Sequence, residues 1–95
     1  MQRDTVLQAR SAHKQEMSTR YGVTRLGIFG SVARNQATDT SDVDIVVEMP
    51  PDLFQMVHMK ADLEAILDAP VDLIRYHKYL DAFLRSQIDR DAVYV

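Results

Sequence analysis

The chain has no cysteine, only three glycines and three prolines, and no surplus of positive charge. Without cysteine there is no disulfide framework, no thiolate metal site and no thiol nucleophile. No apolar run approaches the roughly 18 residues that a membrane span needs. The opening Met1-Gln2-Arg3-Asp4-Thr5 contains no apolar segment of the kind that directs export. With 11 Lys and Arg against 14 Asp and Glu, the net charge is −3, which argues against tight, sequence-independent binding along a phosphate backbone. Repeats and low-complexity stretches are also missing. The expectation is a cytoplasmic protein with neither a membrane nor a nucleic acid as its direct partner.

Apolar residues make up 46% of the chain, too many for a disordered tail or a collagen-like fibre. At 95 residues there is room for one core and one domain, spanning 1–95. Residues 6–21 read as a helix, with Thr5 and Gln8 as a capping box at its start and Gly22 as a left-handed cap at its end. The short apolar run at 26–29 stops at Gly30 and suits a buried strand. Residues 38–41 are polar and turn-like. Residues 43–48, with three valines and an isoleucine, form a second strand that Pro50-Pro51 ends.

Asp52 and Gln55 then open a helix whose Met56, Met59, Leu63, Ile66 and Leu67 share one face. Pro70 closes it. Residues 71–74 form a third strand, Leu80, Phe83, Leu84 and Ile88 mark a last helix, and 92–95 add a short terminal strand. This order describes an α/β (α+β) fold: a small mixed sheet packed with helices. The second and third strands are separated by a helical crossover, so they run parallel with their starts at one edge of the sheet.

That edge collects the chemistry. In Ser41-Asp42-Val43-Asp44-Ile45-Val46-Val47, Asp42 and Asp44 are two residues apart and project together, with α-carbons about 7 Å apart. Carboxylates so placed can converge on one divalent ion or bridge two that sit roughly 3.5–4 Å apart, as phosphoryl transfer requires. The alternative is an Asp42 that caps a turn and an Asp44 on a solvated strand face. Against that alternative, Asp44 leads straight into apolar strand residues, and a carboxylate entering a core needs a partner.

In Val71-Asp72-Leu73-Ile74 a charge interrupts another apolar strand. Parallel pairing brings Asp72 to the same edge as Asp42 and Asp44, unless it is only an edge-strand charge facing water. Three gathered carboxylates repel one another, and a bound cation relieves that repulsion. Mg²⁺ suits an all-oxygen set with no Cys or His cluster nearby.

Gly30-Ser31 complements the acids. If the first strand is antiparallel to the second, its end at Gly30 lies beside Asp42. Glycine admits a phosphate close to the backbone, and Ser31 offers a hydroxyl and an N–H at the start of a short helical turn. Arg34, one turn on, reaches a phosphate oxygen or an acceptor, or is a solvated loop arginine.

Other phosphate and metal motifs do not fit. Neither G-x-x-x-x-G-K-[ST] nor G-x-G-x-x-G is present. A calcium loop is excluded by Val46 and Val47. An aspartyl phosphatase needs an apolar strand before its first Asp, where this chain has Thr38-Asp39-Thr40-Ser41. His13, His58 and His77 fall on separate elements and read as surface histidines. Tyr76, Tyr79 and Tyr94 frame a base or a partner surface, a choice the sequence leaves open.

Gly30-Ser31, ten intervening residues and Asp42-x-Asp44, with Asp72 on the strand after the crossover, resemble the signature of the DNA polymerase beta-like nucleotidyltransferases. The length and element order look like the minimal nucleotidyltransferases of bacteria and archaea. That resemblance implies the nucleotidyltransferase fold, with Asp42, Asp44 and Asp72 as catalytic residues holding Mg²⁺. It also implies Gly30 and Ser31 as the grip on the triphosphate. Members commonly have Gly after this arginine; here Asn35 stands, which tolerates a left-handed turn.

The resemblance further implies an antitoxin that moves AMP from ATP onto a tyrosine of a HEPN-domain toxin ribonuclease, its partner in a possible hetero-oligomer. Two alternatives are a non-catalytic module that masks its partner and a transferase acting on a small molecule. Small-molecule transferases of the superfamily carry a second domain for the acceptor, and the expected single domain has none.

Overall fold

The protein is described here as a computed structural model that covers residues 2–38 and 42–95, with the backbone alone at residues 10 and 11. The element order is α1 (Arg3–Tyr21), β1 (Arg25–Phe29), α2 (Gly30–Ala33), β2 (Val43–Glu48), α3 (Leu53–Leu67), β3 (Val71–Arg75), α4 (Ala82–Asp91) and β4 (Val93–Tyr94). No helix among the described residues is long and apolar enough to cross a membrane. Most of the turn expected over 38–41 lies outside the described residues.

The four strands form one mixed sheet in the order β3-β2-β1-β4. The crossover through α3 makes β2 and β3 parallel, and β1 is antiparallel to both β2 and β4. Side chains alternate between the two faces. On one face Leu26, Ile28, Val43, Ile45, Val47 and Val71 pack under α1 and α3, which contribute Val6, Met17, Met59, Leu63 and Leu67. Met59 and Leu63 are 0% and 1% exposed, and each such burial is worth roughly 1.5–3 kcal/mol. On the other face α4 sets Ile88 against Phe29 and Val46.

The helix ends show which local signals operate. Gly22 closes α1 at φ 69°, in the left-handed region, with its N–H donating to the Ser18 carbonyl. Asp52 caps α3 by accepting from the Gln55 N–H at 3.1 Å. The capping box expected at Thr5 and Gln8 is not formed: α1 begins at Arg3, with Gln2 as an N-cap that makes no side-chain bond. A tertiary contact acts at that end instead, where the Arg3 guanidinium donates to the Ala33 carbonyl at 3.5 Å. Phe83, one of the residues that marked the last helix, is 74% exposed. It lies in the first turn of α4, and the buried stripe of that helix runs through Ile88 with Leu84 partly covered.

Candidate active site

Three strand ends meet at one edge of the sheet. In the register Phe29 lies opposite Asp44 on the antiparallel β1–β2 pair, and Asp44 lies opposite Asp72 on the parallel β2–β3 pair. Paired residues share a face, so the Asp44 and Asp72 side chains leave the same side of neighbouring strands about 4.8 Å apart. Asp42 stands just before β2, close enough for its charge to act on Asp44. The side that Asp44 and Asp72 share is the α4 side, and α4 packs over β1 and α2. Asp42 and Asp72 are exposed, while Asp44 is half-buried.

The electrostatics at Asp44 record this crowding. Burial, then Asp72, then Asp42 push its carboxyl up from the ordinary 3.8 to about 6, against the opposing pull of Arg34. Among the described residues no hydrogen-bond donor meets the Asp44 carboxylate. It is a partly buried anion beside two like charges, which is costly without a cation.

Among the described residues no three acidic or histidine side chains close around an ion-sized space in this arrangement. The donor set nevertheless suits Mg²⁺. All three groups are carboxylates, on adjoining strands or just before them, and the charge of the most buried one is offset only in part by Arg34.

Gly30 lies directly against Asp44. Its φ is +70°, and a β-carbon on it would overlap the Asp44 carboxylate. From there the chain turns into the short α2, at whose end Gly30 accepts from the Arg34 N–H at 3.1 Å and Ser31 from the Gln36 N–H at 2.8 Å. Asn35 takes φ 60°, the left-handed turn its position after the arginine suggested. Ser31 is half-buried at the start of this turn.

Arg34 is exposed, as the solvated loop alternative has it, but its guanidinium is engaged. Its Nη1 meets Asp91 Oδ2 at 2.6 Å and its Nε donates to Gln36 Oε1 at 3.1 Å. Asp91 escaped sequence reasoning, since it lies 57 residues from Arg34. One signal was available: an acid in the last turn of a helix opposes the helix dipole and needs another reason to be there.

The structure therefore brings Gly30, Asp44 and Asp72 together, with Asp42 adjacent and Arg34 near enough for its charge to act on Asp44. The histidines stay away. His13 pairs with Glu16 at 3.2 Å, and His77 accepts from the Tyr79 N–H. Of the tyrosines, Tyr76 donates to Asp89 at 2.9 Å, Tyr94 lies 3.7 Å under the Arg25 guanidinium, and Tyr79 is exposed.

Comparison with known proteins agrees with this geometry. The family model described as a nucleotidyltransferase domain matches residues 10–95. The protein adenylyltransferase MntA of Thermococcus cleftensis is 38% identical over 87 residues, covering 90% of this chain and 87% of that protein. A solved structure described as a minimal nucleotidyltransferase superposes with a TM-score of 0.80 at 30% identity, covering 98% of this chain and 95% of that one. A toxin–antitoxin structure with AMP-PNP shares the fold, at a TM-score of 0.70 and 18% identity over 99% of this chain and 72% of that one.

Proposed function

The chain belongs to the nucleotidyltransferase domain family, and from that premise we propose that it transfers AMP from ATP to a hydroxyl of a partner protein. The acceptor in this reading is a tyrosine of a HEPN-type toxin, so that the protein acts as antitoxin in the cytoplasm. The observation that carries the proposal is the register pair of Asp44 and Asp72 with Asp42 two residues upstream. The 38% identical relative named as a protein adenylyltransferase supports a protein acceptor.

In this reading Asp42, Asp44 and Asp72 hold Mg²⁺, which when bound neutralises charge on the phosphates and supplies the largest electrostatic contribution. Gly30 keeps the backbone bare beside Asp44, so that the triphosphate approaches without a side chain in the way. Ser31 presents a hydroxyl at the turn that follows. Arg34 supplies positive charge beside the anionic cluster. The acceptor oxygen attacks the α-phosphorus, the bond to the β-phosphate breaks and pyrophosphate leaves. Asp72, exposed where Asp44 is half-buried, takes up the hydroxyl proton in this reading.

The test is to mix the purified protein with the product of the neighbouring reading frame, ATP and Mg²⁺, and to weigh both proteins. The expected result is a partner heavier by one or more adenylyl groups, located on a tyrosine. An unchanged partner mass, with its toxicity still suppressed, overturns transfer in favour of masking.

A further inference from the structure

Asp91 ends α4 and its side chain is 6% exposed, yet it bears a charge. Two arginines converge on it. Arg34 Nη1 reaches Oδ2 at 2.6 Å, while Arg90 spans both oxygens, with Nε on Oδ1 at 3.0 Å and Nη2 on Oδ2 at 3.2 Å. Arg90's hydrogen bonds, followed by those of Arg34, hold the Asp91 carboxyl below the usual carboxylate range although burial opposes them. It stays ionised at neutral pH. A buried anion at the negative end of a helix is unfavourable on two counts, desolvation and the helix dipole. Arg90 alone, in the same last turn, would neutralise it. The link to Arg34, from a different element, does more than balance charge.

Its effect is on the arginine. A free arginine side chain at a loop loses much rotamer freedom when it engages a ligand, and prior fixation removes that cost. Here Asp91 fixes Nη1 and Gln36 fixes Nε, so the guanidinium plane is set from two directions. The Nη2 edge has no partner among the described residues. The same guanidinium is close enough to Asp44 to lower its carboxyl's affinity for a proton.

We infer that Asp91 is a positioning residue: it holds Arg34 from α4 with its open edge available to the nucleotide's phosphates at the Gly30 turn. The inference rests on the nucleotidyltransferase reading above and deepens it. It assigns α4, which contains none of the candidate site residues, the task of presenting a cation to the substrate.

The test measures ATP affinity in Mg²⁺ by calorimetry, with thermal unfolding alongside. Asp91→Asn is a safe probe because it strands no buried charge: Arg34 and Arg90 are 40% and 65% exposed. The expected outcome is ATP binding weakened about tenfold in Asp91→Asn and in Arg34→Gln, with the double variant no weaker than either single one. Asp91→Glu restores affinity to within about threefold, because it keeps a charged acceptor for the fork. Wild-type affinity in Asp91→Asn overturns the inference, as do losses in the two single variants that simply add. An affinity loss that follows the unfolding temperature and is not rescued by Glu also overturns it. A wild-type protein that binds no ATP in Mg²⁺ contradicts the nucleotidyltransferase reading itself, and the inference falls with it. Failure confined to the variants leaves that reading standing.

Discussion

Gly30 and Asp44 share one space: the α-carbon of the glycine lies so close to the carboxylate that a β-carbon has no room. Asp44 thereby depends on a missing side chain at the start of α2, and Gly30 is held at a φ of +70° that other residues rarely adopt. Replacing Gly30 by Ala forces both a left-handed alanine and a displaced carboxylate. The expected cost is about 1–2 kcal/mol in urea denaturation, with AMP transfer reduced at least about tenfold because the carboxylate proposed to hold the metal has moved. Full activity in Gly30→Ala would show that the position of Asp44 does not matter.

The raised carboxyl of Asp44 gives a pH signature. Its folded value of about 6 lies above the ordinary 3.8, so the folded state holds the proton more tightly than the unfolded chain. The stabilisation this proton gives is fully present below 3.8 and is lost as the pH rises through about 6. In metal-free protein the stability of wild type relative to Asp44→Asn therefore falls as the pH rises from the ordinary 3.8 to about 6, and levels off above that. Thermal unfolding of both proteins across that range measures it. A difference that stays flat or rises with pH contradicts the crowding of charge at this edge.

Removing the charge outright separates chemistry from stability. Asp44→Asn is expected to fold as well as wild type at neutral pH, or better, since it relieves repulsion from Asp72 and Asp42. It is also expected to transfer no AMP. Chelation of divalent ions from the wild type should abolish transfer in the same way and leave the fold in place. Circular dichroism with a label-transfer assay checks both, and a variant that transfers at the wild-type rate excludes Asp44 as a ligand.

Asp52 supplies a contrasting case in which stability changes and activity does not. Its side chain accepts the Gln55 N–H at 3.1 Å at the start of α3, at the end of β2 away from Asp44. Asp52→Ala should cost about 1 kcal/mol with AMP transfer unchanged at a temperature where the variant is folded. Denaturant titration shows the first effect and the transfer assay the second.

Much of this arrangement was legible in the sequence because it depends on short-range rules. Valines and isoleucine outlined β2 at Val43–Glu48, and Gly22 marked the end of α1. The parallel placement of Asp72 beside Asp44 followed from the length of chain between the strands, which only a helical crossover fills. The failures involved tertiary contacts. Thr5 looked like a cap, yet Arg3 reaches Ala33 and the helix starts earlier. The clasp of Arg34 by Asp91 joins residues 57 apart, and no local pattern reports such a pair.

Whether Asp42, Asp44 and Asp72 share a divalent ion is decided by a crystal structure of the protein with an ATP analogue and Mn²⁺ in place of Mg²⁺. The expected result is an anomalous peak among the three carboxylates, with Asp44 and at least one of the others bonded to it at about 2.0–2.2 Å. Well-ordered nucleotide with the three side chains splayed apart and no peak between them would contradict it.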